Sequence, residues 1–190
     1  GLGTAGKLAG WTFGMLLLTT VAGIVETNVA GIASNANQAS VAALNNAWLV
    51  FMLPHSVIAV SIATAYFTRM SEHAARNDMT LVRSDLSGAA RGIGLLITLA
   101  SLVIIVCSPF IGAVFMPGDP AGITAFGAIV VAYVIGLLPF SLLFLVQRTF
   151  YTLGDTRTPF FYTLFQVVLI CAGAGVIARL APEYIAIAIA

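Results

Sequence analysis

Five apolar stretches of membrane-crossing length, parted by short polar connections, take up nearly all of this 190-residue chain. They lie at about 8–33, 44–68, 91–115, 123–151 and 159–180, and a further apolar run begins at 184–190. A helix needs about 20 mainly apolar residues to traverse the hydrocarbon core. A transmembrane strand needs only about ten, but they must alternate, and Leu95 to Val106 does not alternate. The expectation is an all-α, polytopic transmembrane helix bundle. Composition agrees: hydrophobic residues make up 60%, charged residues 8%, and mean hydropathy is +1.05. A water-soluble domain carries roughly 25% charged residues, so this chain lacks the polar groups to cover a soluble exterior. Both ends look cut, and the chain reads as a segment of a longer membrane protein.

The basic residues orient the spans. Lys7 precedes span one, Arg69, Arg76, Arg83 and Arg91 lie between spans two and three, and Arg148 and Arg157 lie between spans four and five. Only Arg179 falls on the opposite side, so seven of the eight Lys and Arg residues share one side. Cytoplasmic loops are enriched in Lys and Arg, so the start is expected in the cytoplasm. The 69–91 connection also holds Glu72, Asp78 and Asp85, which makes it a mixed-charge, solvated segment. Asn77 or Asp78 is placed to cap a short helix at the membrane surface, with Leu81, Val82 and Leu86 on one side. Such a segment serves as an interfacial linker or docks a partner.

Several chemistries are excluded or left without machinery. No basic run suits nucleic acid. Cys107 and Cys171 both sit inside apolar runs, where a thiol packs as a small hydrophobe, and no metal-site spacing or cofactor motif is present. The acids are too scattered to form a catalytic pair, so an enzyme is not expected.

Small residues mark where helices approach. Gly10 with Gly14, Gly88 with Gly92, and Gly173 with Gly175 allow close backbone contact. Pro54 and Pro139 fall well inside spans two and four, where a missing donor and ring crowding predict a kink or local unwinding. Bent helices suit a protein that opens on alternate sides, and they also occur in static bundles.

Polar residues at membrane depth are the candidate site. Glu26, followed by Thr27 and Asn28, lies about two-thirds along span one, where a carboxylate facing lipid costs roughly 2.5–3.5 kcal/mol. Either it lines a hydrophilic cavity, or it sits near the outer interface or protonated against a neighbouring helix. His55, directly after Pro54, either satisfies a carbonyl freed by the kink or faces the same cavity. Asn45 and Asn46, at the outer start of span two, cap that helix or extend the polar lining.

The most specific passage is Gln147-Arg-Thr-Phe-Tyr-Thr-Leu-Gly-Asp-Thr-Arg-Thr-Pro159. Locally it ends one helix and starts another: Gly154 takes the left-handed conformation that closes span four, and Thr158 caps span five ahead of Pro159. Arg148 and Arg157 are placed to anchor the connection at anionic head groups. As a whole, the pattern Arg148-x-Phe-Tyr-x-x-x-Asp155-Thr-Arg157-Thr-Pro159 resembles the lipid II flippase family (MurJ/MviN) of the multidrug/oligosaccharidyl-lipid/polysaccharide (MOP) exporter superfamily. Asn46 to Met70, with Pro54 and the trailing Ser-Ile-Ala-Thr-Ala-Tyr-Phe-Thr-Arg-Met, is similar to the family's eighth helix. The Ala-rich, Asn-containing version here looks most like the actinobacterial branch.

The resemblance covers essentially the whole chain and implies helices seven to eleven and the start of twelve: most of the second lobe of a MOP/MATE-like fold. It implies a multi-pass protein of the bacterial cytoplasmic membrane that flips the undecaprenyl-linked precursor lipid II outward by alternating access. Glu26, Asn28, Asn45, Asn46 and His55 would then line a central cavity shared with an N-terminal lobe, and the implied partners are the lipid II head group and membrane lipids. Actinobacterial relatives often add a cytoplasmic pseudokinase-like domain, a regulatory part of which this chain shows nothing. One departure stands out. Many relatives carry an Asp-Arg pair near the outer start of the eighth helix, its Arg pairing with substrate phosphate, whereas Asn45-Asn46-Ala47-Trp48-Leu49 holds no cation. The competing readings are a cation-coupled drug antiporter, a polysaccharide-lipid flippase, and a membrane scaffold that transports nothing.

Overall fold

A computed structural model describes residues 2–35 and 41–180. Helix α1 spans Leu2–Asn35, α2 Val41–Pro54, α3 Ser61–Ala75, α4 Met79–Phe115, α5 Pro120–Thr152 and α6 Arg157–Leu180, and a π-helical turn, His55–Val60, joins α2 to α3. No strand occurs among the described residues, and the chain is an all-α membrane helix bundle. Among the described residues, three helices are long and apolar enough to cross a membrane: the continuous Ala42–Ala75 helix, Met79–Phe115 and Pro120–Thr152. In α1 and α6 the apolar windows are shorter, Ala9–Val25 and Arg157–Gly173. The apolar run at 184–190 and most of the 34–39 connection lie outside the described residues, as do the surroundings of Gly175.

The chain divides into two compact units: α1 with α6, and the run from α2 to α5. In the first, Trp11 meets Phe160 edge-on at 4.9 Å. Gly14 is where α6 comes closest, since a Cβ there would lie 2.9 Å from the Phe160 ring. Gly10 and Gly173, expected to share such contacts, have no neighbour within 4 Å of a built Cβ among the described residues.

The second unit is built on α4 and α5, joined by a tight turn. Asp119 caps α5 by accepting from the Ala121 amide at 3.1 Å, with Pro120 in the first turn. The closest backbone approach is at Gly112, where a Cβ would stand 2.6 Å from the Ile123 carbonyl oxygen. Small residues join the π turn and α3 to α4: Ala59, Ala63 and Ala89 are fully buried beside Ile93, Ile97, Leu137 and Leu145. Between helices in lipid, burying apolar area gains little, because the tails are equally apolar; close packing and polar ties hold the bundle instead. Small residues at these crossings supply that packing.

Helix α4 differs from expectation. The surface helix capped by Asp78 is not a separate element but the first turns of one unbroken helix, Met79–Phe115. The cap itself is as expected, since the Leu81 amide donates to Asp78 Oδ1 at 3.1 Å. Asn77 turns the chain in the left-handed region, φ 58°. At 1.5 Å per residue α4 is about 55 Å long, against roughly 30 Å of hydrocarbon. Its charged residues, Arg83, Asp85 and Arg91, all lie in the end that overhangs.

Candidate functional site

Pro54 offers no backbone donor and crowds the turn before it, so the helix cannot run on with regular bonding. The chain takes a wider π turn over His55–Val60 before α3 resumes. That wider turn carries the His55 ring toward α5. His55 is 4% exposed, and its Nδ1 shares a 3.0 Å hydrogen bond with Oγ of the fully buried Ser141. The rings of Phe140 and Phe144 stand edge-on to the imidazole at 4.7 and 5.3 Å. The imidazole's partner is thus a hydroxyl on another helix, not a backbone carbonyl freed by the kink. A buried polar group without a partner is costly, and Ser141 removes that cost for one ring nitrogen.

Helix α2 rises from this point against α5 through stacked aromatics. Trp48 lies flat on Phe51 at 4.9 Å and meets Tyr133 edge-on at 5.9 Å, while Phe51 meets Phe140 at 5.3 Å. Asn45 is exposed and Asn46 half-buried. Neither caps the helix, because α2 begins at Val41, a full turn earlier than expected. Among the described residues neither amide is held by another side chain. Nine or ten residues separate them from His55, about 14 Å along a helix axis. Asn45 and Asn46 therefore form one polar position on α2, and His55 forms another, sealed one.

On α1, the Asn28 amide is exposed and donates to the Ile24 carbonyl at 2.7 Å. Thr27 does the same to Gly23 at 2.8 Å. Both polar groups are satisfied within their own helix. Glu26 lies on α1, and its side chain is outside the described residues.

The motif between α5 and α6 is organised by a carboxylate. Asp155 Oδ1 accepts from the amides of Arg157 at 2.9 Å and Thr158 at 3.1 Å, and Oδ2 accepts from the Thr158 hydroxyl at 2.6 Å. Asp155, not Thr158, is the cap; both are capping residue types, but only the carboxylate reaches back over the open amides. The Thr158 hydroxyl and amide, then the Arg157 amide and charge, hold the Asp155 carboxyl below the usual carboxylate range. Pro159 follows in the first turn of α6, where its missing donor is harmless. Gly154 has φ 71°, as a left-handed helix stop requires. Arg157 lies over Trp11 and Phe161 at 6.0 and 5.7 Å, and Arg148 over Phe67 and Phe144 at 5.8 and 5.1 Å. Aromatic faces thus hold both guanidinium groups.

One cluster escaped the sequence reading. Asp85 on α4 is buried, and its Oδ1 takes Arg69 Nη2 of α3 at 2.9 Å, with His73 Nε2 at 3.4 Å from Oδ2. Among the described residues, His73 Nδ1 is buried without a hydrogen-bond partner. The available signal was Arg69 and His73 one turn apart on one helix, facing a lone acid on the next. Among the described residues no group of three His, Cys, Asp or Glu is arranged to hold a metal ion.

Comparison with known proteins completes the description. A family model described as lipid II flippase MurJ matches residues 1–190. A probable lipid II flippase MurJ of Borreliella burgdorferi is 26% identical over 141 residues, covering 73% of this chain and 28% of the relative. The corresponding protein of Rickettsia prowazekii is 30% identical over 124 residues, 63% of this chain and 24% of the relative. The chain therefore spans about a quarter of the length of these curated relatives. No solved structure matches.

Proposed function

Because the chain belongs to the lipid II flippase MurJ family, we propose that it is most of the second lobe of a transporter that moves lipid II from the inner to the outer leaflet of the bacterial cytoplasmic membrane. The observation that carries this reading is the placement of Asn45 and Asn46. Two amides, one exposed and one half-buried, sit inside an otherwise apolar helix long enough to cross the membrane. A polar side chain turned to acyl chains is costly, so such residues face protein or a water-filled cavity. A wet path for a sugar-pyrophosphate head group, with the polyprenyl tail left in lipid, requires such a lining.

In this reading Asn45 and Asn46 of α2 contribute to the second lobe's share of the cavity, Glu26 and Asn28 of α1 are separately proposed as lining residues, and His55, sealed against Ser141, supports the helix rather than the lining. A first lobe of the same protein supplies the cations that pair with phosphate, since the stretch around Asn45 has none. The two lobes rock about the site and open it to one side at a time. No covalent step is involved, and the chain acts as a transporter rather than an enzyme. The test is depletion of the full protein in its own bacterium, with outer-leaflet lipid II measured by a probe that cannot cross the membrane. A fall in the outer pool with a rise in the inner pool supports the reading; an unchanged outer pool overturns it. Glu26→Gln then separates the flippase from a cation-coupled exporter, because loss of that charge abolishes ion-driven efflux but need not stop lipid translocation.

A further inference from the structure

We propose that the π turn at His55–Val60 is a rotary switch in the α2–α3 helix, locked in its present register by the hydrogen bond between His55 and Ser141. The proposal rests on the transporter reading for its purpose, but its geometry stands apart from the substrate.

A π turn holds one residue more than the α-helical turn it replaces. Such turns are rare, occur as single insertions in α-helices, and are frequent at functional sites. Here the turn interrupts the continuous Ala42–Ala75 helix immediately after Pro54. If it relaxes to α-helical bonding, everything N-terminal to it rotates relative to α3 by about 100°, the angle per residue of a 3.6-residue turn. Helix α3 is held in place, since Ala63 and Met70 are fully buried in the core it shares with α4 and α5. The rotating half is α2, which carries Asn45, Asn46 and Trp48, and its buried face, Ala43, Leu44, Ala47 and Phe51, repacks against α5 as it turns. A change within one turn therefore swings the polar position around the helix axis while α3, α4 and α5 stay packed.

The lock sits where both partner helices are weakest. His55 follows Pro54 directly, and Ser141 follows Pro139 by two residues, so two proline-weakened points are tied to each other across 86 residues of sequence. Both side chains are buried, and Phe140 and Phe144 close around the imidazole. Rotation of α2 breaks the bond, and the surrounding rings offer neither partner a replacement. The bond and the buried face of α2 together hold the π register, and loss of the bond weakens that hold.

The experiment uses the full protein in lipid nanodiscs, with Cys107→Ala and Cys171→Ala as background. Spin labels go on Asn45→Cys in α2 and Leu99→Cys on the exposed face of α4, and the distance distribution is read by pulsed electron resonance. Rotation moves the α2 label across about the width of a helix, roughly 10 Å. Ser141→Ala is expected to raise the population of a second distance class at least threefold, and Ser141→Thr, which keeps the hydroxyl, restores the parent distribution. Pro54→Ala, which removes the cause of the π turn, favours the second class even with Ser141 intact. One unchanged distance in all three well-folded variants means a static bulge and overturns the switch. Lipid II translocation measured on the unlabelled protein with Asn45 in place separates the two claims: shifted distances in a protein that moves no lipid II keep the switch and remove the flippase reading, whereas translocation with invariant distances does the reverse.

Discussion

Arg69 and Asp85 meet at 2.9 Å with very unequal exposure, 61% for the guanidinium side chain and 6% for the carboxylate. The acid has been taken out of water and the base has not. Removing Arg69 therefore does more harm than its own exposure implies, because it leaves Asp85 with only His73 at 3.4 Å. Fully buried pairs lose about 3–5 kcal/mol when one partner is cut, and exposed pairs lose about 0–1. Arg69→Ala should fall between, at about 1–2 kcal/mol. Thermal unfolding of the full protein checks this, and adding Asp85→Asn to Arg69→Ala should recover part of the loss. Strict additivity of the two changes would show that the pair is not coupled.

Gly112 predicts an asymmetry between glycines. A Cβ at Gly112 lies 2.6 Å from the Ile123 carbonyl, a backbone atom that cannot turn aside. Gly112→Ala should force α4 and α5 apart and cost about 1–3 kcal/mol. Gly136, on α5, has nothing within 4 Å of a built Cβ. Gly136→Ala should be neutral or stabilise by up to about 1 kcal/mol, through helix propensity alone. Melting temperatures of the two variants should move in opposite directions.

Asp155 predicts a pH dependence with a definite sign. Its carboxyl titrates below the usual range in the folded protein, chiefly because the Thr158 hydroxyl and amide donate to the ionised form. The stabilisation is therefore complete above the ordinary carboxylate range and disappears as pH falls through the depressed value. At neutral pH, Asp155→Ala should cost about 1 kcal/mol, as for other helix caps. The gap between variant and parent should persist through the ordinary carboxylate range and close only as pH falls through the depressed value. Thr158→Val should reproduce part of the loss at neutral pH. A gap independent of pH would contradict the charge-assisted cap.

Hydropathy alone made the helices legible, because a run of twenty apolar residues has few other fates. The distortion after Pro54, the Asp78 cap and the left-handed Gly154 were legible too, since each follows from one residue's covalent geometry or local reach. What failed was non-local. Nothing in the sequence pairs His55 with Ser141, 86 residues away, so the imidazole's partner was sought in its own backbone. Asp85 looked solvated amid the charges of the 69–91 connection, and only packing of α3 on α4 buries it. The choice between Asp155 and Thr158 as cap also needed coordinates, because the two residue types compete for the same amides three positions apart.

The most direct test of the central claim is water accessibility along α2 in the full protein. Single cysteines at Asn45, Asn46 and Ala47, in a background without Cys107 and Cys171, are reacted with a membrane-impermeant maleimide applied from either side. Rapid labelling is expected at Asn45 and Asn46, slowed at least tenfold by saturating lipid II, and none at Ala47, which is fully buried on the packed face of α2. If Asn45 and Asn46 are as unreactive as Ala47 from both sides, α2 lines no watery path and the transport account is wrong.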